Sequence, residues 1–287
     1  MKTWRLHPVI KPVKDSEAKE VVPTKIFDNV AFIGNESVCC FLVETSDGLL
    51  LLDCMCPENA EYIETCIREL GYDPADLKHI LLTHGHGDHY GDAGYFQKKY
   101  GTRLYMSEVD EAFAHDPNNW RPPHRDYPMP FDMDGHLVAG QDFVCGDTAI
   151  KIYDTAGHTP GCLSFILPVY DDGKKHMAAL FGGFAPPLSH SMIKTGIEKI
   201  DAFARAAFEE GVDVEISNHP FNDNAVARLM LMRGIRDCLP NPFVLGYENY
   251  RRYELWIRDI YEKRLNMPEQ PMPATRGPAN FVGNPTV

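Results

Sequence analysis

The sequence predicts an α/β domain whose chemically loaded side chains gather where strands end. Three observations point there. Apolar strand-like runs alternate with amphipathic helical patterns along most of the 287 residues. The run Thr83-His84-Gly85-His86-Gly87-Asp88-His89 follows an apolar stretch, 77–82, that reads as a buried strand. Two further histidines, His158 and His219, sit in turns that follow short apolar strands at 149–153 and 212–216. Functional groups gathered outside strand ends are the expected geometry of an α/β site.

The elements follow in order. Residues 25–34, 38–45 and 49–53 alternate or run apolar like strands, and Ser46-Asp47-Gly48 is a hairpin signal between the last two. Pro57 opens a helical pattern to Leu70, with Ile63, Ile67 and Leu70 on one face, and Gly71 stops it. After the histidine run, 91–100 reads as a helix and 103–106 as a strand, and Ser107 caps a short helix at 108–115. A β-rich stretch covers 136–182, with Asp171-Asp172-Gly173 as a turn. Helices are expected at 197–210, 223–238 and 248–265. No internal repeat is visible.

Three segments elaborate this pattern. Residues 116–135 hold five prolines in 20 positions, which excludes a helix. A loop this long in a compact domain is usually functional or disordered, and Trp120, His124, Tyr127 and Phe131 would suit a cover over the histidines. The segment 185–192 brings Ser189 and His190 toward the same edge, where His190 reads as a plain loop histidine rather than a substrate contact. Residues 241–287 form a C-terminal helix and tail. Tyr250, Tyr253, Ile257 and Tyr261 recur there at helical spacing, the mark of a face packed on the chain's own core or on a second subunit.

Composition sets the frame. A chain of this length with 44% apolar residues suits one large domain over 1–287. The balance of 28 basic against 41 acidic residues, a net −13, argues against nucleic acid as a partner, because phosphate binding depends on Lys and Arg. No run of about 18 apolar residues is present, so no membrane-spanning helix is expected. The first residues lack the apolar core of a signal peptide, and the eight cysteines show no convincing metal spacing. Buried reduced thiols and a cytoplasmic address are expected.

His84, His86, Asp88 and His89 place four ligand-type side chains within six residues. A solvated polar loop accounts for one histidine and poorly for this crowd. Imidazole is the commonest transition-metal ligand and a carboxylate is a good partner for it. Gly85 and Gly87 would let the backbone turn tightly so that the side chains converge. One loop cannot surround an ion, so ligands must arrive from elsewhere, and His158 and His219 are the candidates.

His-X-His-X-Asp-His, then an isolated Gly157-His158-Thr159-Pro160-Gly161, then a late histidine resemble the metallo-β-lactamase superfamily over roughly 25–239. The resemblance implies a four-layer αββα sandwich with two metals at one edge. It implies that His84, His86 and His158 hold the first metal, that Asp88, His89 and His219 hold the second, and that Asp53 supports the metal loop. Many members carry a bridging Asp in a Gly-Asp pair ending a strand, glyoxalase II-like thioesterases and acyl-homoserine-lactone lactonases among them. Here 178–187 read Ala-Ala-Leu-Phe-Gly-Gly-Phe-Ala-Pro-Pro, with glycine in the expected place. That pattern, and the Ala185-Pro186 that follows, resemble the third subclass of metallo-β-lactamases.

The resemblance thus implies a dinuclear zinc hydrolase that opens a cyclic amide or ester of a small-molecule substrate. Iron and manganese also suit such sites. Metal binding would lower a bound water's pKa from about 15.7 toward about 7, and Asp88 would orient that water and take its proton. Without the bridging carboxylate the second site should be the weaker one. A lactonase or thioesterase, and a mononuclear iron enzyme like the persulfide dioxygenases that has no need of His219, are the other enzymatic readings. A metal-binding protein without catalysis is the non-enzymatic one.

Overall fold

The computed structural model describes residues 17–119 and 129–269. Its strands form two sheets. The first runs β1 (Glu20–Phe27), β2 (Val30–Asn35), β3 (Cys39–Thr45), β4 (Gly48–Leu52), β5 (Leu77–Leu81), β6 (Arg103–Met106) and β7 (Gly135–His136), in sequence order. The pairs from β1 to β4 are antiparallel and those from β4 to β7 parallel. The second sheet has the order β12-β11-β10-β9-β8, from β8 (Asp142–Cys145), β9 (Thr148–Asp154), β10 (Leu163–Asp171), β11 (Lys174–Leu180) and β12 (Val214–Ile216).

Alternation along the strands divides the apolar residues into layers. Phe32, Phe41, Leu50 and Leu52 meet Ile150, Ile152, Phe165 and Leu180 between the sheets. The intervening residues Ile33, Leu42, Leu49 and Leu51 face outward, against Ile63 and Ile67 of α1 (Ala60–Glu69) and Phe96 of α3 (Ala93–Tyr100). On the far side, Ile166 and Ala179 pack on Ile193, Ile200 and Phe203 of α5 (His190–Glu209) and on Tyr250, Ile257 and Tyr261 of α8 (Tyr247–Leu265). The order is helix, sheet, sheet, helix. It explains why β4 reads as unbroken leucine: the strand is buried on both faces.

Two expectations change. The strand read over 25–34 is two strands around Asp28-Asn29; Asn29 ties that turn to β10, donating to Pro168 O at 3.2 Å and accepting from Tyr170 N at 3.1 Å. The helix expected from 197 begins seven residues earlier, at His190. Gly196 interrupts its pattern in the sequence, yet the helix runs through because the Tyr261 ring lies where a Cβ would point, 2.4 Å from it. The aromatic stripe of the C-terminal helix packs on the chain's own core, as its helical spacing predicts. Among the described residues, no helix is long and apolar enough to cross a membrane.

Phe165 is fully buried between the sheets. Phe165→Ala is expected to cost about 3–5 kcal/mol, read as a lowered midpoint in urea unfolding.

Candidate metal centre

The site is built where β4, β5 and β12 end. Asp53 follows β4 in the left-handed region, at φ 60°, and is completely buried. Its Oδ1 accepts from Thr83 N at 2.7 Å, and its Oδ2 accepts from Thr83 Oγ1, Asn218 Nδ2 and His89 Nδ1, each at 2.9 Å. Thr83 spends its hydroxyl proton on Asp53, so its oxygen accepts from His84 Nδ1 at 2.9 Å. The carboxylate thereby sets the tautomers of His84 and His89, and both present an unprotonated Nε2.

His158 and His219 are oriented by backbone carbonyls of other segments. His158 Nδ1 donates to Ala185 O at 2.6 Å and His219 Nδ1 to Ser37 O at 2.8 Å, so their Nε2 atoms point inward as well. His86 Nδ1 lies 3.0 Å from His158 Nε2. The short helix α2 (Gly87–Tyr90) turns Asp88 and His89 toward His219. His84, His86 and His158 offer ligand atoms all within 4.8 Å of one another, and so do Asp88, His89 and His219.

These residues suit metal binding. His84 Nε2 is buried and has no hydrogen-bond partner in the protein. The Nε2 atoms of His89 and His219 face each other at 3.2 Å with both Nδ1 protons directed away, an arrangement of opposed lone pairs that a cation would relieve. Burial, reinforced by the neighbouring imidazoles, pushes the His84 pKa well down, and burial takes His158 to about 4. Both are neutral, and hence ligand-competent, at neutral pH. Burial pushes the Cys162 thiol well up, which keeps this nearby sulfur protonated and out of the ligand set.

Where a bridging Asp would stand, Gly182 and Gly183 follow β11. A Cβ on Gly183 would lie 2.4 Å from His158 Cβ and 2.9 Å from Cys162 Sγ. The imidazole of a first-group histidine therefore occupies the space that a side chain there would need. Gly85 acts by closeness, not by turning: neither it nor Gly87 has positive φ, and a Cβ on Gly85 would lie 2.6 Å from Asp110 O.

Asp110, which the sequence reading passes over, is the second organising carboxylate. It lies in α4 (Glu108–His115) and is wholly buried. Oδ2 accepts from Gly85 N at 2.8 Å and Thr159 Oγ1 at 2.6 Å, and Oδ1 from Gly161 N at 2.6 Å. It thus laces the loop of His84 and His86 to the loop of His158. Burial raises its pKa to about 6 even with those three donors. The available signal was Ser107-Glu108-Val109-Asp110, a capping pattern whose Asp does more than cap.

A cavity of about 560 Å³ opens beside His86 and His158, walled by Val109, Phe113, Pro186 and Met192. Asp116 and Asn119, from the proline-rich segment, also line it. Trp120, His124 and Tyr127 lie outside the described residues. Phe131 does not cover the site; its ring packs edge-on to Tyr90 at 6.0 Å and against Gly94. Ser189 lines the cavity, whereas His190 is a helical anchor, its Nε2 bonded to Met267 O at 2.9 Å. Asp110→Asn would set an amide NH₂ against buried donors. It is expected to cost about 1–3 kcal/mol of stability in thermal unfolding and to weaken metal binding about 10–100-fold in competition with a chromophoric chelator.

Comparison with known proteins agrees with this geometry. The family model described as "Metallo-beta-lactamase superfamily" matches residues 33–171. The uncharacterized protein YobT of Bacillus subtilis is 30% identical over 134 residues, which cover 45% of this chain and 56% of that protein, so the match spans little more than half of this relative. An N-acyl homoserine lactonase of Bacillus thuringiensis is 26% identical over 200 residues, 56% of this chain and 75% of that one. Among solved structures, the subclass B3 metallo-beta-lactamase BJP-1 of Bradyrhizobium japonicum superimposes with a TM-score of 0.74 at 26% identity, covering 85% of this chain and 94% of that one. The sandwich, the ligand-bearing strand ends and these matches agree in making the chain similar to the metallo-β-lactamase superfamily.

Proposed function

We propose that this chain is a dinuclear zinc hydrolase that opens a cyclic amide or ester in a small-molecule substrate. The observation that carries this reading is the pairing of two three-residue groups, His84/His86/His158 and Asp88/His89/His219, with glycine where a bridging carboxylate would stand. Nitrogen-rich donor sets without thiolate suit zinc. Bound there, the two ions would supply Lewis acidity and an activated water.

The chain's own side chains do the rest. Asp88 Oδ2 lies 3.5 Å from His89 Nε2 and 3.7 Å from His219 Nε2, at the mouth of the second group. From there its carboxylate would orient the attacking water and accept its proton. Val109, Phe113 and Met192 offer an apolar wall to the part of the substrate beside the reacting carbonyl and exclude bulk water from it. His219's place in the second group speaks against the mononuclear iron reading. Cys39, Cys40, Cys54, Cys66, Cys145 and Cys162 are buried free thiols, which supports a reducing, cytoplasmic setting.

A lactonase is the second reading, supported by the likeness to the N-acyl homoserine lactonase and by the apolar cavity wall. The two separate in one experiment. Zinc-loaded protein is assayed on a chromogenic cephalosporin and on a panel of lactones and thioesters, with His84→Ala as control. Turnover of the cephalosporin is expected, falling more than about 100-fold in the variant, since even loss of an outer partner of a ligand costs about 10–100-fold. Turnover of lactones alone would make the chain a lactonase. No turnover of any amide, lactone or thioester by metal-replete protein would overturn the hydrolase reading.

A further inference from the structure

On a different face of α4 from Asp110 and Phe113 lies a second kind of cluster. Glu111 and His115 stand one turn apart, and Asp132 reaches them from the far end of the proline-rich segment. Their ligand atoms all lie within 4.8 Å of one another. His115 Nε2 is 3.5 Å from Asp132 Oδ1 and 3.9 Å from Glu111 Oε1. We propose that Glu111, His115 and Asp132 form a further divalent-cation site, of the zinc class, separate from the centre at the strand ends.

Three observations support it. His115 Nε2 is a buried nitrogen without a hydrogen-bond partner, and it points at two carboxylates. A buried acceptor or donor left unmade is costly, and an ion between these atoms would satisfy it. Glu111 is held in place by other partners: His136 Nε2 donates to its Oε2 at 2.5 Å and Met133 N to its Oε1 at 2.7 Å. A histidine–carboxylate pair of that kind orients a metal-binding oxygen. Finally, Asp132 is 93% exposed, so an ion has a path in and water can complete its coordination.

The position gives the ion a consequence. Glu111 and His115 precede the segment that contributes Asp116 and Asn119 to the cavity wall, and Asp132 lies near its far end. A cation held by all three would close that segment into a loop, and clips that close long loops restrict the unfolded chain most. The site would brace one wall of the cavity without touching the reacting groups.

The test is a zinc count on full-length protein, stripped with chelator and re-equilibrated by dialysis against buffered zinc. Wild type is expected to hold one equivalent more than Asp132→Asn and one more than His115→Gln. In a His84→Ala/His89→Ala background, one equivalent is expected to survive and to be lost when Asp132→Asn is added. Asp132 is almost fully exposed, so its amide variant retains the fold, which circular dichroism verifies. Equal zinc in wild type, Asp132→Asn and His115→Gln would overturn the proposal. The count is a difference between proteins and needs no turnover, so it stands or falls apart from the hydrolase reading.

Discussion

The buried carboxylate of Asp53 is the constraint on which the rest of this structure depends. An ionised group without solvent costs several kcal/mol unless its oxygens are fully occupied. Asp53 meets that demand with donors from three places: Thr83 at the end of β5, His89 in the metal loop, and Asn218 after β12. Two of these belong to one sheet and the third to the other. The carboxylate therefore joins the sheets at their functional edge, and the same bonds that pay for its burial set which nitrogen of each nearby histidine faces inward.

Asp110 repeats the device on the opposite flank. It binds the backbone amides of Gly85 and Gly161 and the Thr159 hydroxyl, so the first and second ligand loops share one anchor. Ser107 Oγ donates to Gly161 O at 2.7 Å beside it, and Leu163 N donates to Thr83 O at 2.9 Å. Ligand loops tied to each other in this way hold their histidines at a fixed separation before any ion arrives. That is the preorganisation a metal site needs.

The C-terminal helix belongs to this scheme rather than being appended to it. Burial keeps the Tyr261 phenol protonated, well above its ordinary value. It donates to Gly183 O at 3.0 Å, and Ala185 O lies 3.3 Å away while accepting from His158. The helix thus reaches the glycines that stand in place of a bridging carboxylate, and through Ala185 it reaches a ligand histidine. Its other aromatic residues face α5 and the second sheet, so a packing surface and a site support are one element.

The sequence by itself determined the layers and the ligand types. Strand alternation in residues such as Phe32 and Ile33, and the run from His84 to His89, are local patterns of period or spacing, and local patterns survive in one dimension. Helix limits suffered where a glycine met a distant ring, as Gly196 meets Tyr261, because that packing partner lies far along the chain. Only the tertiary structure decided which loops meet, that Asp110 binds two of them, that Phe131 packs away from the cavity, and that Glu111, His115 and Asp132 converge across the proline-rich segment. Each of those depends on backbone groups and carboxylates brought together by the closing of the two sheets. A hydrogen bond to an amide leaves no mark on the identity of the residue that donates it.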